Sequence, residues 1–496
     1  MSENNVRVKK SVTRNAVLNV VKTIMSLAFP LITFPYSTRV LGLTAVGKYN
    51  FASSVVSYFT MLAALGITMY AVREGSKYRD DPEKTNQFCN EVFSINIYSM
   101  VFTLFLLYLS ILFVGKLQGY TILLLIFSVR IVLNTINVNW IYSIFEDFSF
   151  PTITAALMEV ISISVMLLFV HSPADLYIYA VSAVIAYNGY GLLTFLYARK
   201  YVNLKFVWKP SMIHLKPIMI IFFLELGMSV YVDSDIILVG WIDGDDATGL
   251  YSTASTIYKI LKQVLNALNM VVLPRIAYHV GREAICIHDN DRAGYEENHA
   301  QAEKLGSLLV NTTITLALPM MVGIYLIAEP IVILFAGEAF HDAYQPLQLL
   351  SIALLFAVLA VFYGQSVLTA YKQEKVYMKA TILSAVVNIV LNLILIPKYH
   401  VNAAACTTIL AELIMVVITY RESRKYLKIP ISKNVIVSSV VGCAAIVGVS
   451  MILKRLIASS MIYMFATIAV SVAVYGAIMI LFRNDVIWRL LGKQSD

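Results

Sequence analysis

Ser255, Lys259, Lys262, Asn266 and Asn269 recur at steps of four and three residues, the spacing that places side chains on one face of an α-helix. The residues between them are mostly apolar. Two ammonium groups and two amides therefore stand along one stripe of a hydrophobic segment, able to neutralise an anion and to hydrogen-bond hydroxyls. A water-filled cavity lining is the functional reading of such a stripe, and a buried structural ion pair is the plain one. Asn15, Asn19, Lys22 and Ser26 repeat the spacing, although Lys22 lies close enough to a segment end for its ammonium to snorkel. Arg130, Asn134 and Asn137 form a third stripe. The weaker sets Asn50, Ser54, Ser57 and Ser384, Asn388, Asn392 read equally well as hydrogen bonds between helices.

Carboxylates in apolar surroundings are Glu159, Glu225 and Asp233 (the last two on one helical face), Asp235 and Glu412. Glu225 or Asp233 could pair with Lys259 or Lys262 on the next helix. Alternatively Glu225, Asp233 or Asp235 could hold a coupling proton or sodium ion. All seven histidines fall in or near expected loops, so an imidazole relay is not expected. No catalytic residue, cofactor or metal site is expected either. Cys89, Cys286, Cys406 and Cys443 are scattered, with no CxxC pair. Asp243-Gly244-Asp245-Asp246 reads as a tight turn. Asp289, Asp291 and Gly294 have calcium-loop spacing, but Ala300 stands where the bidentate Glu belongs. Asn311-Thr312-Thr313 fits a glycosylation pattern but lies within an expected helix.

The elements that must carry these stripes follow from composition. In 496 residues, 59% are hydrophobic, only 14% are charged, and the mean hydropathy is +0.75. A soluble domain, a disordered chain and a disulfide-stapled secreted domain are all excluded, because none could be so poor in polar surface. The chain reads as an all-α polytopic membrane protein. Stretches of about 20 apolar residues place spans near 15–38, 48–72, 88–114, 119–143, 150–170, 175–197, 217–241, 248–273, 305–328, 345–370, 376–396, 402–420, 434–453 and 459–482, about fourteen in all. The first span contains Pro30 and Pro35, which predict a bend or hinge. The longest loop is expected at about 276–304, so no extramembrane domain is available.

An even number of spans puts both termini on one side. About 28 of the 38 Lys and Arg fall at the termini and in alternate loops facing the same way, which the positive-inside rule assigns to the cytoplasm. The loops around 198–216 and 421–433 carry most of them. Topology thus accounts for the +8 net charge, and nucleic-acid binding is not expected.

An internal repeat is visible. Gly47-Lys48-Tyr49-Asn50-Phe51-Ala52-Ser53 matches Gly249-Leu250-Tyr251-Ser252-Thr253-Ala254-Ser255, and the same offset pairs Arg73 with Arg275. Val40-Leu41-Gly42 pairs with Leu238-Val239-Gly240 if four residues are inserted in the second half. A duplication of six spans predicts two parallel lobes, 1–200 and 201–428, followed by two additional helices and a cytoplasmic tail in 429–496. Rocking transporters share that architecture, with substrate between the halves.

Arg39-Val40-Leu41-Gly42 followed by Gly47-x-Tyr49 resembles the end of helix one in the bacterial polysaccharide transporters. These are repeat-unit flippases of the multidrug/oligosaccharidyl-lipid/polysaccharide superfamily. Asp233-Ser234-Asp235-Ile236-Ile237-Leu238 with Gly249-Leu250-Tyr251-Ser252 is similar to that family's seventh and eighth helices. The resemblance implies two six-helix lobes forming a V. It also implies a substrate: an oligosaccharide on undecaprenyl pyrophosphate, moved from the inner to the outer leaflet of the plasma membrane. Lys22, Arg130, Asn134, Lys259, Lys262 and Asn266 would line the headgroup cavity. Arg39 and Lys48 would stand at the outer rim, and Arg73 and Arg275 at the cytoplasmic gate. Membrane lipids and the polysaccharide polymerase machinery are the expected partners. A lipid-linked peptidoglycan precursor flippase and a drug or cation antiporter of the same superfamily are the rival readings. A membrane glycosyltransferase or polymerase would need a long outer loop that is not expected here.

Overall fold

The computed structural model describes residues 12–490, and the side chains of these residues except 12–24, 26, 27, 224, 227–233, 271 and 490. The described residues contain no strand. Helices satisfy every backbone donor and acceptor within the segment, as a bilayer interior demands. Two compact units divide the chain, Met1–Ser229 and Val230–Asp496.

The first unit holds α1 (Val12–Ala64), α2 (Ile67–Gly75), α3 (Pro82–Phe113), the short α4 (Gly115–Gln118), α5 (Thr121–Ile136), α6 (Asn139–Ile144), α7 (Ser149–Phe169), α8 (Leu176–Asn188) and α9 (Tyr190–Ala198). The boundary between the two compact units falls inside α10 (Leu215–Ile242). Its cause is visible in packing, because Val202, Ile218 and Ile221 are buried with Trp140, Ile141 and Tyr142 of the first unit. The second unit continues with α11 (Asp245–His288), α12 (Arg292–Ala336) and α13 (Tyr344–Val361), which runs into a π-helical turn at Phe362–Leu368. It ends with α14 (Glu374–Ser423), α15 (Lys433–Leu456), α16 (Ser460–Leu481) and α17 (Asp485–Leu490).

Among the described residues, eleven helical stretches are long and apolar enough to cross a membrane, against about fourteen expected. The chain is a multi-pass membrane protein. Three of the long helices contain a backbone break: α1 at Gly42, α12 at Ile327 and α14 at His400. Pro30 and Pro35 keep helical dihedral angles, so the break in α1 lies beyond them, at Gly42.

The expected loop at 276–304 is instead a helical hairpin. α11 runs on to His288 and α12 begins at Arg292. Ile276, Val280 and Ala302 are buried in one cluster with Leu309 and Phe362, an apolar face hidden in the sequence by the charges between them. Asp291 caps α12 by accepting the Gly294 N–H at 2.9 Å, which explains its calcium-like spacing without an ion. Asp243–Asp246 forms the expected turn, with Asp245 and Asp246 in the first turn of α11, where the helix dipole favours negative charge.

Two devices recur between the units. Gly42 has φ 76° and ψ 176°, and Gly244 has φ 91° and ψ −166°, a region that only glycine adopts readily. Their offset is that of the repeated motif (244 − 42 = 202), so the inserted gap at Gly240 is not needed there. Each unit also ties an extended segment along a helix. In the first, the N–H groups of Asn203, Lys205 and Val207 donate to Asn86 Oδ1, Asn90 Oδ1 and Ser94 Oγ at 2.8, 2.7 and 2.7 Å. The Tyr98 hydroxyl then donates to the Trp208 carbonyl at 2.8 Å. In the second, Ser307 Oγ donates to the Pro430 carbonyl at 2.8 Å and the Ser432 N–H donates to Asn311 Oδ1 at 3.0 Å. Side chains four apart on the helix thus serve backbone groups two apart on the extended chain, whose donors have no sheet to join.

Candidate functional site

The stripe on α11 lines a cavity of about 230 Å³ in the second unit. Ser255, Lys259, Lys262 and Asn266 face it from α11, Asp235 from α10, and Asn388, Thr408 and Glu412 from α14. Both carboxylates are buried, at 7% exposure for Asp235 and 4% for Glu412. A buried charge persists only with partners, and the two find different ones.

Glu412 accepts from the Lys262 ammonium at 2.7 Å and from the Tyr258 hydroxyl at 3.4 Å. The partners expected for Lys262, Glu225 or Asp233, are therefore replaced by a residue on α14. Asp235 accepts from the Tyr251 hydroxyl at 2.6 Å, the Thr408 hydroxyl at 2.7 Å and the Asn392 amide at 2.6 Å. Among the described residues no cation pairs with it. Asn392 also donates to Asn388 at 3.2 Å, and Ser234 donates to Asn388 at 3.4 Å. Asn388 and Asn392 of the α14 stripe thus bond to α10, and Asn388 also lines the cavity, whereas Ser384 Oγ is buried without a hydrogen-bond partner.

In the first unit, Arg130 on α5 is half-buried. It donates to Ser53 Oγ at 2.9 Å and lies 5.7 Å from the Phe127 ring centroid. Its Nε is buried without a hydrogen-bond partner. Tyr49 packs on Phe127 and Tyr179, with centroids 5.4 and 4.8 Å away. Asn134 follows one turn later and is half-buried.

Lys48 lines a larger, half-open cavity of about 740 Å³. Three turns converge on it: Leu41–Ala45 around Gly42, Gln118–Leu123, and Pro173–Tyr177. Arg39 is exposed and donates to the Pro35 carbonyl at 3.0 Å. Arg73 is exposed and pairs with the adjacent Glu74 at 3.2 Å. Arg275 is exposed on α11 directly after Pro274. Glu225 is half-buried with no polar partner among the described residues. Lys22 and Asp233 lie on helical backbone, but their side chains fall outside the described residues. Lys259, Lys262, Asn266 and Asp235 are therefore brought to one cavity. Glu412 stands among the carboxylates that the sequence singles out, but not as the partner of Lys262. Tyr251 and Thr408, which bond Asp235, are the residues that sequence reading missed, and their only signal was a polar group on an apolar helix.

No group of three or more His, Cys, Asp or Glu that could hold a metal ion occurs among the described residues.

Residues 12–279 match the family described as polysaccharide biosynthesis protein. The chain belongs to that family. It is 24% identical over 275 residues to a putative O-antigen transporter of Escherichia coli K12, which covers 54% of this chain and 66% of the relative. It is 23% identical over 260 residues to a probable low-salt glycan biosynthesis flippase, Agl15, of Haloferax volcanii, covering 52% of each chain. The chain thus spans between half and two thirds of these relatives. Its fold is that of a lipid II flippase, MurJ, solved in an inward closed conformation. The TM-score is 0.74 at 18% identity, over 96% of this chain and all of the other.

Proposed function

We propose that this protein is a transporter, not an enzyme. In this reading it is a flippase that moves polyprenyl-pyrophosphate-linked oligosaccharide repeat units from the inner to the outer leaflet for cell-surface polysaccharide synthesis. The observation that carries the reading is the cavity between α10, α11, α13 and α14, where two lysines and several neutral hydrogen-bonding groups stand inside a bundle of apolar helices. A pyrophosphate needs cations where its lipid tail can stay in the bilayer, and sugar hydroxyls need amides and hydroxyls.

In this reading Lys22, Arg130, Asn134, Lys259, Lys262 and Asn266 contact the headgroup as access alternates. Arg39 and Lys48 form the outer rim, and Arg73 and Arg275 the cytoplasmic gate. The termini lie in the cytoplasm and the protein sits in the bacterial plasma membrane, next to the polymerase that consumes its cargo. Of Glu225, Asp233 and Asp235, the best supported site for a coupling ion is Asp235. It is a carboxylate among neutral oxygen groups that could accept a proton or a monovalent cation.

The test is translocation of a fluorescent undecaprenyl-pyrophosphate-linked oligosaccharide in proteoliposomes. Wild type is expected to transport it, and Lys259→Ala and Lys262→Ala to lose transport while eluting as folded protein. Transport of organic cations in place of every lipid-linked sugar tried would overturn the reading.

A further inference from the structure

The segment joining α9 to α10 is held firmly and yet turns its large apolar side chains outward. Asn86, Asn90, Ser94 and Tyr98 secure its first half. Its far end is pinned through His214, which bonds Glu91 at 3.0 Å and the Tyr70 hydroxyl at 2.7 Å. Between these anchors Trp208, Met212 and Ile213 are 81%, 70% and 81% exposed. The corresponding strap of the second unit behaves oppositely, with Ile429 and Ile431 packed on the core. Outward apolar residues are thus not a by-product of tying a strap to a helix.

Charge and position say what covers this surface. From Arg199 to Lys216 there are five basic residues and no Asp or Glu, and Lys205, Lys209 and Lys216 are exposed. The segment begins where the apolar helix ending at Ala198 stops and ends where α10 begins. Covalent continuity with both helices holds it at the bilayer surface. Tryptophan favours the level of the headgroups, and basic residues beside a spanning helix attract anionic lipid.

We propose that residues 205–213 form a binding surface for anionic phospholipid headgroups. Trp208, Met212 and Ile213 lie at the boundary of headgroup and acyl chain, and Lys205 and Lys209 contact lipid phosphates. This surface is independent of the transported substrate.

The test uses full-length protein in phosphatidylcholine vesicles containing phosphatidylglycerol, with either lipid brominated in turn. The quenching of Trp208 fluorescence is the difference between wild type and Trp208→Phe. Brominated phosphatidylglycerol is expected to quench it more strongly than its mole fraction predicts. That excess should fall about fivefold per lysine in Lys205→Gln and Lys209→Gln. It should persist in Lys428→Gln/Lys433→Gln, exposed lysines flanking the second strap. Equal quenching by both lipids, or no loss in the glutamine variants, overturns the proposal. Abolition of the excess by millimolar glycerophosphate also overturns it, since the site would then bind free phosphate and not a lipid surface.

Discussion

The ammonium of Lys262 and the carboxylate of Glu412 lie 2.7 Å apart, joining α11 to α14 inside the second unit. The Lys262 side chain keeps 21% of its surface accessible and the Glu412 side chain 5%. The lysine can therefore still reach into the cavity, while the carboxylate stays fixed behind it. Breaking the pair would leave Glu412 buried with only the Tyr258 hydroxyl at 3.4 Å, so the ion pair holds the lysine in place.

Glu412→Gln leaves the lysine without its counter-charge. The expected loss is about 3 kcal/mol of stability, read as a lowered thermal midpoint in detergent. Lys262→Met in the same chain should recover most of the midpoint but not translocation. A full recovery of both would make the pair purely structural.

At Asp235 the three donors tolerate an amide poorly, because one amide group would meet donor with donor. Asp235→Asn is expected to cost about 1–3 kcal/mol and, if this carboxylate couples an ion, to erase the dependence of transport on an imposed sodium or proton gradient. Tyr251→Phe keeps the charge and should keep that dependence. A gradient response unchanged in Asp235→Asn would remove it as the coupling site.

Membrane potential offers a second driving force. A pyrophosphate of about two negative charges leaving a negative interior gains about 4–5 kcal/mol at 100 mV. Collapsing the potential with valinomycin and potassium, at constant pH gradient, should slow translocation several-fold. An unaltered rate would show that headgroup charge does not cross uncompensated.

The ties between α3 and the 203–207 segment are partly exposed, so each is worth about 1 kcal/mol or less. Asn86→Ala, Asn90→Ala and Ser94→Ala together should raise hydrogen exchange at Asn203, Lys205 and Val207 at least tenfold. The thermal midpoint should shift only slightly. Protection that persists in the triple variant would assign the strap's order to side-chain packing.

Tyr371, between the π-helical turn and α14, donates to both oxygens of Glu283 at 3.1 and 3.0 Å. Burial first, and then this carboxylate, raise its phenol pKa above the ordinary value. The folded protein therefore keeps a proton that the unfolded chain gives up near pH 10. This contribution is complete below about pH 10 and is lost as pH rises further. Tyr371→Phe should be less stable by about 1 kcal/mol at neutral pH and should lose less stability between about pH 9.5 and 11. Parallel melting curves for the two proteins across that range would refute the assignment.

The cavity's first wall is legible in the sequence because helical periodicity is a local property. Ser255, Lys259, Lys262 and Asn266 share a face in any α-helix, and they share the cavity. Glu412 was visible as a carboxylate on an apolar helix, but its pairing with Lys262 depends on which helices pack together, and adjacency in sequence pointed to Glu225 and Asp233 instead. The hairpin at 276–304 misled for a different reason. Its charges exceed what a bilayer accepts, so it reads as loop, while the residues that hold it helical, Ile276, Val280 and Ala302, are spaced among them. Gly42 and Gly244 show the limit of residue matching. Their correspondence rests on a backbone conformation, and the letters around them favoured Gly240.

The strap on α3 works as a vernier. Four helical residues advance about 6.0 Å, whereas two extended residues advance about 6.6–6.8 Å, so each rung drifts by well over half an ångström. Three alternate N–H groups, of Asn203, Lys205 and Val207, find acceptors on Asn86, Asn90 and Ser94, and at the fourth rung Tyr98 reaches a carbonyl instead. The mismatch itself sets how long such a strap can run. Lengthening the linker would add slack beyond Trp208 but no further rungs, so the measured grip of the segment on the helix should be insensitive to insertions there and sensitive to any insertion between Asn203 and Val207.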